Sequence, residues 1–269
     1  MRLTHWGSVV VATALVLAGC SSSAETDYDL PVGPISERVA DQFHGNLGEA
    51  VNALLDHTVA DCMRTQGFDY QVPGTRGDVP AWDTLEYAQT YGYGITTWAD
   101  LPQPATATIP PDEDYRQALW GDEQPPDEAA TWVPGGCYGQ ALVEMELLGS
   151  TIVQDVDDMH IQAQDDTRVV TALAGWATCM ADEGYSYATP QDAQAAVVER
   201  AAPGGHALAG ASLKALRAEE IATAVADHGC ATDLRRAKAT VIAELESYYY
   251  AQHTTEVDAL LARLDKLEK

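Results

Sequence analysis

Basic side chains are scarce in this chain of 269 residues: 15 Lys and Arg stand against 41 Asp and Glu, a formal charge of −26. Nucleic-acid binding needs clustered cations to displace counterions from phosphates. Electrostatic docking on an anionic lipid surface needs a basic patch. The charge balance argues against both. No apolar run reaches the roughly 20 residues that span a bilayer, the stretch from Trp6 to Val16 being too short. Strand-like alternation is missing throughout. No cysteine pair is spaced C-x-x-C and none has histidine at zinc-finger spacing, so neither redox nor zinc chemistry is announced. The sequence also lacks G-x-S-x-G, S-x-x-K and a complete glycine-rich phosphate loop, Gly92 and Gly94 merely flanking a tyrosine. His44, His57, His160, His206, His228 and His253 form no i, i+4 pair around a glutamate. The acidic run Asp155, Asp157, Asp158 lacks the glycine and closing glutamate of a calcium loop and reads as a solvated helix face. No metal, cofactor or catalytic residue is expected, and an unrecognised hydrolase is the remotest reading.

What is present begins at the first residues. Arg2 gives a positive start, the apolar stretch follows, and Leu17-Ala18-Gly19-Cys20 looks like a bacterial lipobox. Residues 1–19 then read as a signal peptide and Cys20 as the diacylglyceryl attachment site. An ordinary secretory signal cleaved after Gly19 is the alternative. Two or three acyl chains hold a protein stably on a membrane where one does not. Residues 20–35, Ser-, Asp- and Pro-containing, read as the lipidated cysteine and a tether. Loss of residues 1–19 removes one basic and no acidic residue, leaving 14 − 41 = −27. Such a domain is repelled by an anionic membrane surface over about 8 Å, so it should project outward on the extracytoplasmic side.

With Cys20 lipidated, Cys62, Cys137, Cys179 and Cys230 remain, an even number that reads as two disulfides in an exported chain. Three connectivities are open, and an internal repeat chooses among them. Cys62-Met63-Arg64-Thr65-Gln66-Gly67-Phe68-Asp69-Tyr70 aligns with Cys179-Met180-Ala181-Asp182-Glu183-Gly184-Tyr185-Ser186-Tyr187 at an offset of 117, with Pro73 and Pro190 at the same offset. The element reads as a helix ending: glycine at the left-handed position, the aromatic after it folding back on methionine. Each copy is followed by a further cysteine after a glycine, Gly136-Cys137 and Gly229-Cys230. Pairing within copies gives Cys62–Cys137 and Cys179–Cys230.

The same residues carry a resemblance. The Cys-Met-x-x-x-Gly-aromatic-x-Tyr element, occurring twice, resembles that of a family of uncharacterised actinobacterial lipoproteins. So do Tyr91-Gly92-Tyr93-Gly94-Ile95, Tyr115-Arg116-Gln117-Ala118-Leu119-Trp120-Gly121-Asp122, Gly135-Gly136-Cys137, Asp166-Thr167-Arg168-Val169-Val170 and the stretch from Glu220 to Asp227. The resemblance implies export, lipidation and the cysteine pattern. It brings no activity and no catalytic residue.

Apolar residues at spacings of three and four predict a helix from Ser36 to about Gln66, with Val39, Phe43, Leu47, Val51, Leu54, Leu55 and Val59 on one stripe. Between Pro73 and Pro134 prolines are too dense for long elements, and short helices are expected at Trp82 to Thr90 and after an Asp112 cap. Helical patterns return from Tyr138 to Leu148 and from Asp166 to Glu183. Thr189-Pro190-Gln191-Asp192 looks like a helix start. Ser212 opens a long helix carried to about Tyr250, and Thr255 with Asp258 is placed to cap the last one. The fold class expected is all-α: an elongated antiparallel bundle over residues 36–269 with repeats at about 44–150 and 160–250, interrupted by a Pro- and aromatic-rich insertion and stapled by two disulfides.

That insertion is the best candidate site. Nine of the eighteen Trp and Tyr residues lie between Trp82 and Tyr138. Trp82, Tyr91, Tyr93, Trp98, Trp120 and Trp132 are the candidate ligand-binding aromatics, because aromatic faces beside carboxylates suit sugar stacking or capture of a cation. Packing of the insertion onto the bundle is the competing use. The expected function is that of a non-catalytic binding lipoprotein of the cell envelope, its partner a wall glycan or an envelope protein. The alternative is a structural or accessory subunit of an envelope transporter.

Overall fold

The computed structural model describes residues 30–43, 45–72, 79–102, 112–121, 135–148, 150–202 and 208–267. The residues expected to form a signal peptide, a lipobox with Cys20 and most of a tether lie outside them, as does Trp132. Among the described residues the chain is all-α, with twelve helices and no strand. They are α1 (Pro34–Arg38), α2 (Ala40–Phe43), α3 (Leu47–Thr65), α4 (Leu85–Tyr91), α5 (Glu113–Trp120), α6 (Gly136–Leu148), α7 (Ser150–Gln162), α8 (Thr167–Asp182), α9 (Pro190–Ala201), α10 (Gly210–Cys230), α11 (Thr232–Gln252) and α12 (Thr254–Leu264). No described helix is long and apolar enough to cross a membrane.

Both repeat elements end as their glycines dictate. Gly67 and Gly184 have φ of 87° and 92°. Phe68 N donates to Met63 O at 3.0 Å and Tyr185 N to Met180 O at 2.8 Å, while Gly67 N and Gly184 N donate to Arg64 O and Ala181 O. This is the double bond pattern of a Schellman ending, repeated 117 residues apart. Cys62 and Cys179, in the last turns, are bonded to Cys137 and Cys230, each with Cα atoms 5.6 Å apart. One disulfide ties α3 to the start of α6; the other ties α8 to the end of α10. Around each lies an equivalent apolar cluster: Val59, Met63, Phe68 and Tyr70 in one, Trp176, Met180, Tyr185 and Tyr187 in the other. A third cluster joins α1, α2, α3, α6, α7 and α12 through Ile35, Phe43, Leu54, Met145, Val156 and Leu260.

Several helix boundaries differ from the sequence expectation. The stretch from Ser36 to Gln66 is broken into α1, α2 and α3. Val39 caps α1, Gly45 takes φ 76°, and the Asn46 side chain accepts from Glu49 N to start α3. The stripe survives the breaks because Val39, Phe43 and Leu47 are all buried in the third cluster. The long helix expected from Ser212 to Tyr250 is two helices of 21 residues, meeting at Ala231. Gly229 is a poor helix former, and Cys230 beside it is bound across to α8, so the chain turns there. Finally, α12 starts at Thr254 with no side-chain cap. Asp258 accepts from the Tyr250 hydroxyl instead of capping.

Two expected helix starts are seen. Thr189 and Asp192 form a reciprocal capping box with Pro190 at the first helical position. The Asp112 side chain accepts from Tyr115 N to open α5. α4 spans Leu85–Tyr91 rather than the expected Trp82 to Thr90, because Thr84 supplies its cap. Asp157, Asp158 and His160 form an exposed face of α7. Among the described residues no group of three or more His, Cys, Asp and Glu is placed to hold a metal.

Candidate functional site

Two glutamates that helical periodicity puts on the inner faces of α10 and α11 organise the chain around them. Glu220 and Glu246 have no exposed surface. Glu220 stands one turn from Leu216 and one turn from Ala224, both buried. Its carboxyl accepts from Tyr93 N (3.0 Å), Ile95 N (2.8 Å), Thr96 N (2.9 Å) and the Thr96 hydroxyl. The segment after α4 therefore wraps the end of a buried acid, its own backbone supplying the donors that a cation would otherwise provide. Gly92 makes the approach possible. It holds φ 64°, and a Cβ there would lie 2.7 Å from Glu220 Cγ and 3.2 Å from Ile221 N. Gly92, which forms no phosphate loop, is needed for this close approach.

Glu246 does the same for the chain entering α1. It accepts from Ile35 N at 3.1 Å, Ser36 N at 3.0 Å and the Ser36 hydroxyl. These are N–H groups of the first turn of α1, where a carboxylate is favoured. A Cβ on Gly33 would fall 2.7 Å from Glu246 Cβ and closer still to its carboxylate. Gly33→Ala should therefore push the residue 30–36 strap off α11 at a cost of about 1–3 kcal/mol. Thermal melting and limited proteolysis of that strap check this; an unchanged melting temperature with an uncut strap contradicts it.

A third acid, Asp227, is nearly buried on α10. It accepts from Trp176 Nε1 at 2.7 Å and from the Tyr93 hydroxyl at 3.1 Å. Burial, reinforced by the Asp227 charge, pushes the Tyr93 phenol above its usual range, so Tyr93 stays a neutral donor.

Between the strap, the start of α4, the first turn of α9 and the facing sides of α10 and α11 lies a groove of about 740 Å³. That is the size of small-ligand sites in general. Trp82, Tyr87 and Tyr93 line it on the insertion side. Trp82 is 80% exposed, the most exposed of the large apolar side chains in the described structure. Leu234 and Ile242 of α11 and Ala224 of α10 give an apolar floor. On the α10–α11 wall stand His228, Arg235 and Lys238. Arg235 donates to His228 O at 3.0 Å. Burial lowers the Lys238 ammonium from the usual lysine value, with the charge of Asp227 opposing.

The structure splits the candidate aromatics. Trp82 and Tyr93 line the groove, joined by Tyr87. Tyr91 is outside the lining and packs its ring on Tyr87, centroids 5.2 Å apart. Trp98 sits on a 3₁₀ turn, 53% exposed, away from the groove. Trp120 packs on Tyr138 in the apolar cluster beside the first disulfide, centroids 4.9 Å apart. Trp132 lies outside the described residues. Glu220, Glu246 and Lys238 escaped the sequence reading, although a charge at a core register of an amphipathic helix was a visible signal in Glu220. Neither a protein-family model, a curated protein nor a solved structure matches this chain.

Proposed function

We propose that the chain is a lipid-anchored, extracytoplasmic protein of the cell envelope that binds a wall-derived glycan in the groove, without catalysing a reaction. The observation that carries the ligand reading is Trp82, 80% exposed at the lip of an aromatic-lined groove. A large exposed aromatic beside a cavity is a common signature of a contact surface, and flat apolar ring faces suit the C–H faces of sugars. Anchoring rests on the lipobox and Cys20. Leu30, the first groove residue, follows Cys20 by ten positions, so the groove opens within about 35 Å of the lipid at full extension.

Two outcomes are expected. Cys20→Ala should shift the protein from the membrane fraction to the soluble one, and retention on the membrane contradicts the anchor. The soluble Cys20→Ala protein should pellet with purified cell-wall sacculi and resist raised salt. A protein that stays in the supernatant contradicts the glycan reading and favours an envelope-protein partner.

A further inference from the structure

Cations are few in this chain, and among the described residues the arginines are largely spent on its own acids, while Lys214 and Lys266 are exposed to solvent. Seven arginines among the described residues, Arg38 and Arg263 among them, meet a carboxylate at ion-pair distance. Lys238 does not. It is half-buried, lines the groove, and makes no hydrogen bond or ion pair among the described residues, the Asp227 charge acting on it only from beyond ion-pair distance. Partial burial costs an ammonium solvation, and a carboxylate entering the groove would restore a partner of opposite charge.

The acids nearest to hand are already engaged. Both oxygens of Asp227 accept from Trp176 and Tyr93, and both oxygens of Glu246 accept from the start of α1. Asp83 stands exposed on the opposite lip. Arg235 shares the wall with Lys238. Nor is lysine required by the helical register. Counting eight residues on from the second cysteine of each disulfide gives Lys238 in one copy and Met145, buried in the core, in the other.

We propose that Lys238 is the anion-recognising residue of the groove and that the ligand presents a carboxylate to it while a sugar ring lies against Trp82 and Tyr87. This rests on the groove being a glycan site and adds the chemical class: an acidic amino sugar, not a neutral one. A ligand carboxylate gives the ammonium the charge-assisted partner it lacks. A neutral analogue leaves it desolvated and unpaired, which sites of this kind reject.

The test compares N-acetylmuramic acid with N-acetylglucosamine, two amino sugars differing by a lactyl ether that bears the carboxylate. Each is titrated calorimetrically into full-length protein in detergent, alongside Lys238→Met and Lys238→Arg. The acid should bind about tenfold or more tighter than the neutral sugar. Lys238→Met should bring the two sugars to similar affinity, the acid losing its charged partner and the neutral sugar no longer stranding a desolvated ammonium, and Lys238→Arg should keep most of the preference. Lys238→Gln makes the same comparison if the methionine variant does not fold. Equal binding of the two sugars by the unaltered protein, or a preference that survives Lys238→Met or Lys238→Gln, overturns the assignment of Lys238 and leaves the groove as a neutral-glycan site. Binding of neither sugar overturns the glycan reading and the inference with it.

Discussion

Glu220→Ala should lower unfolding free energy by about 3–5 kcal/mol. The deletion strands three backbone N–H groups, those of Tyr93, Ile95 and Thr96, together with the Thr96 hydroxyl, in a place where the acid had no exposed surface. Each orphaned donor costs about 1–3 kcal/mol unless water reaches it, and relaxation of the loop limits the sum. Glu220→Gln should fall between, because its carbonyl oxygen still accepts while its amide turns donors toward donors. The damage should be local before it is global. Amide exchange at Tyr93, Ile95 and Thr96 should quicken first, and the Tyr93 hydroxyl should lose its hold on Asp227. Urea unfolding with amide exchange decides this. A loss below about 1 kcal/mol for the alanine variant, with exchange unchanged in the loop, shows that the loop is held by other contacts.

Replacing Cys179 and Cys230 together by alanine should cost about 4 kcal/mol in the chain-entropy account of a crosslink spanning 51 residues. The effect should exceed that of an ordinary core truncation of the same side-chain volume. The reason is that Cys230 sits where α10 ends, and α10 and α11 together form the groove wall that carries Asp227, Arg235 and Lys238. Freed from α8, the junction should loosen, and the wall with it. The pair Cys62–Cys137, which closes 75 residues far from the groove lining, should cost a similar amount while leaving ligand binding intact. Unfolding curves of the two double variants, each with a binding isotherm, separate stability from groove geometry. Equal loss of binding in both contradicts this division.

The helix endings and starts were legible because they depend on few neighbouring residues. Gly67 and Gly184 need only their own backbone and a methionine four residues back, so the Schellman endings and the within-copy cysteine pairing followed from a twelve-residue alignment. Thr189, Pro190 and Asp192 form a box whose chemistry is complete in four residues. The interruptions at Gly45 and Ala231 were not legible, since the apolar stripes run on through them. A stripe records which side faces the core and is indifferent to a turn that keeps it there. The groove was invisible for a different reason. Its walls come from residues as distant as Leu30 and Glu246, brought together by two buried acids that bind backbone and therefore leave no partner pattern in the sequence. The aromatic density of the insertion does not tell which rings line the groove and which fill the core. Trp82 and Tyr93 face the groove, whereas Trp120 fills the core beside Tyr138.

This division of the aromatics gives the most direct measurement of the central claim. Solubilised wall fragments are titrated calorimetrically into the protein and into Trp82→Ala, Trp98→Ala and Trp120→Ala. A groove site predicts that Trp82→Ala alone abolishes or weakens binding at least about tenfold, the loss expected of an aromatic anchor worth more than 1 kcal/mol. Trp98→Ala should bind normally, and Trp120→Ala should lose stability but bind normally while folded. Unchanged binding in Trp82→Ala, or a loss in Trp98→Ala instead, would contradict the account and move the ligand away from the groove.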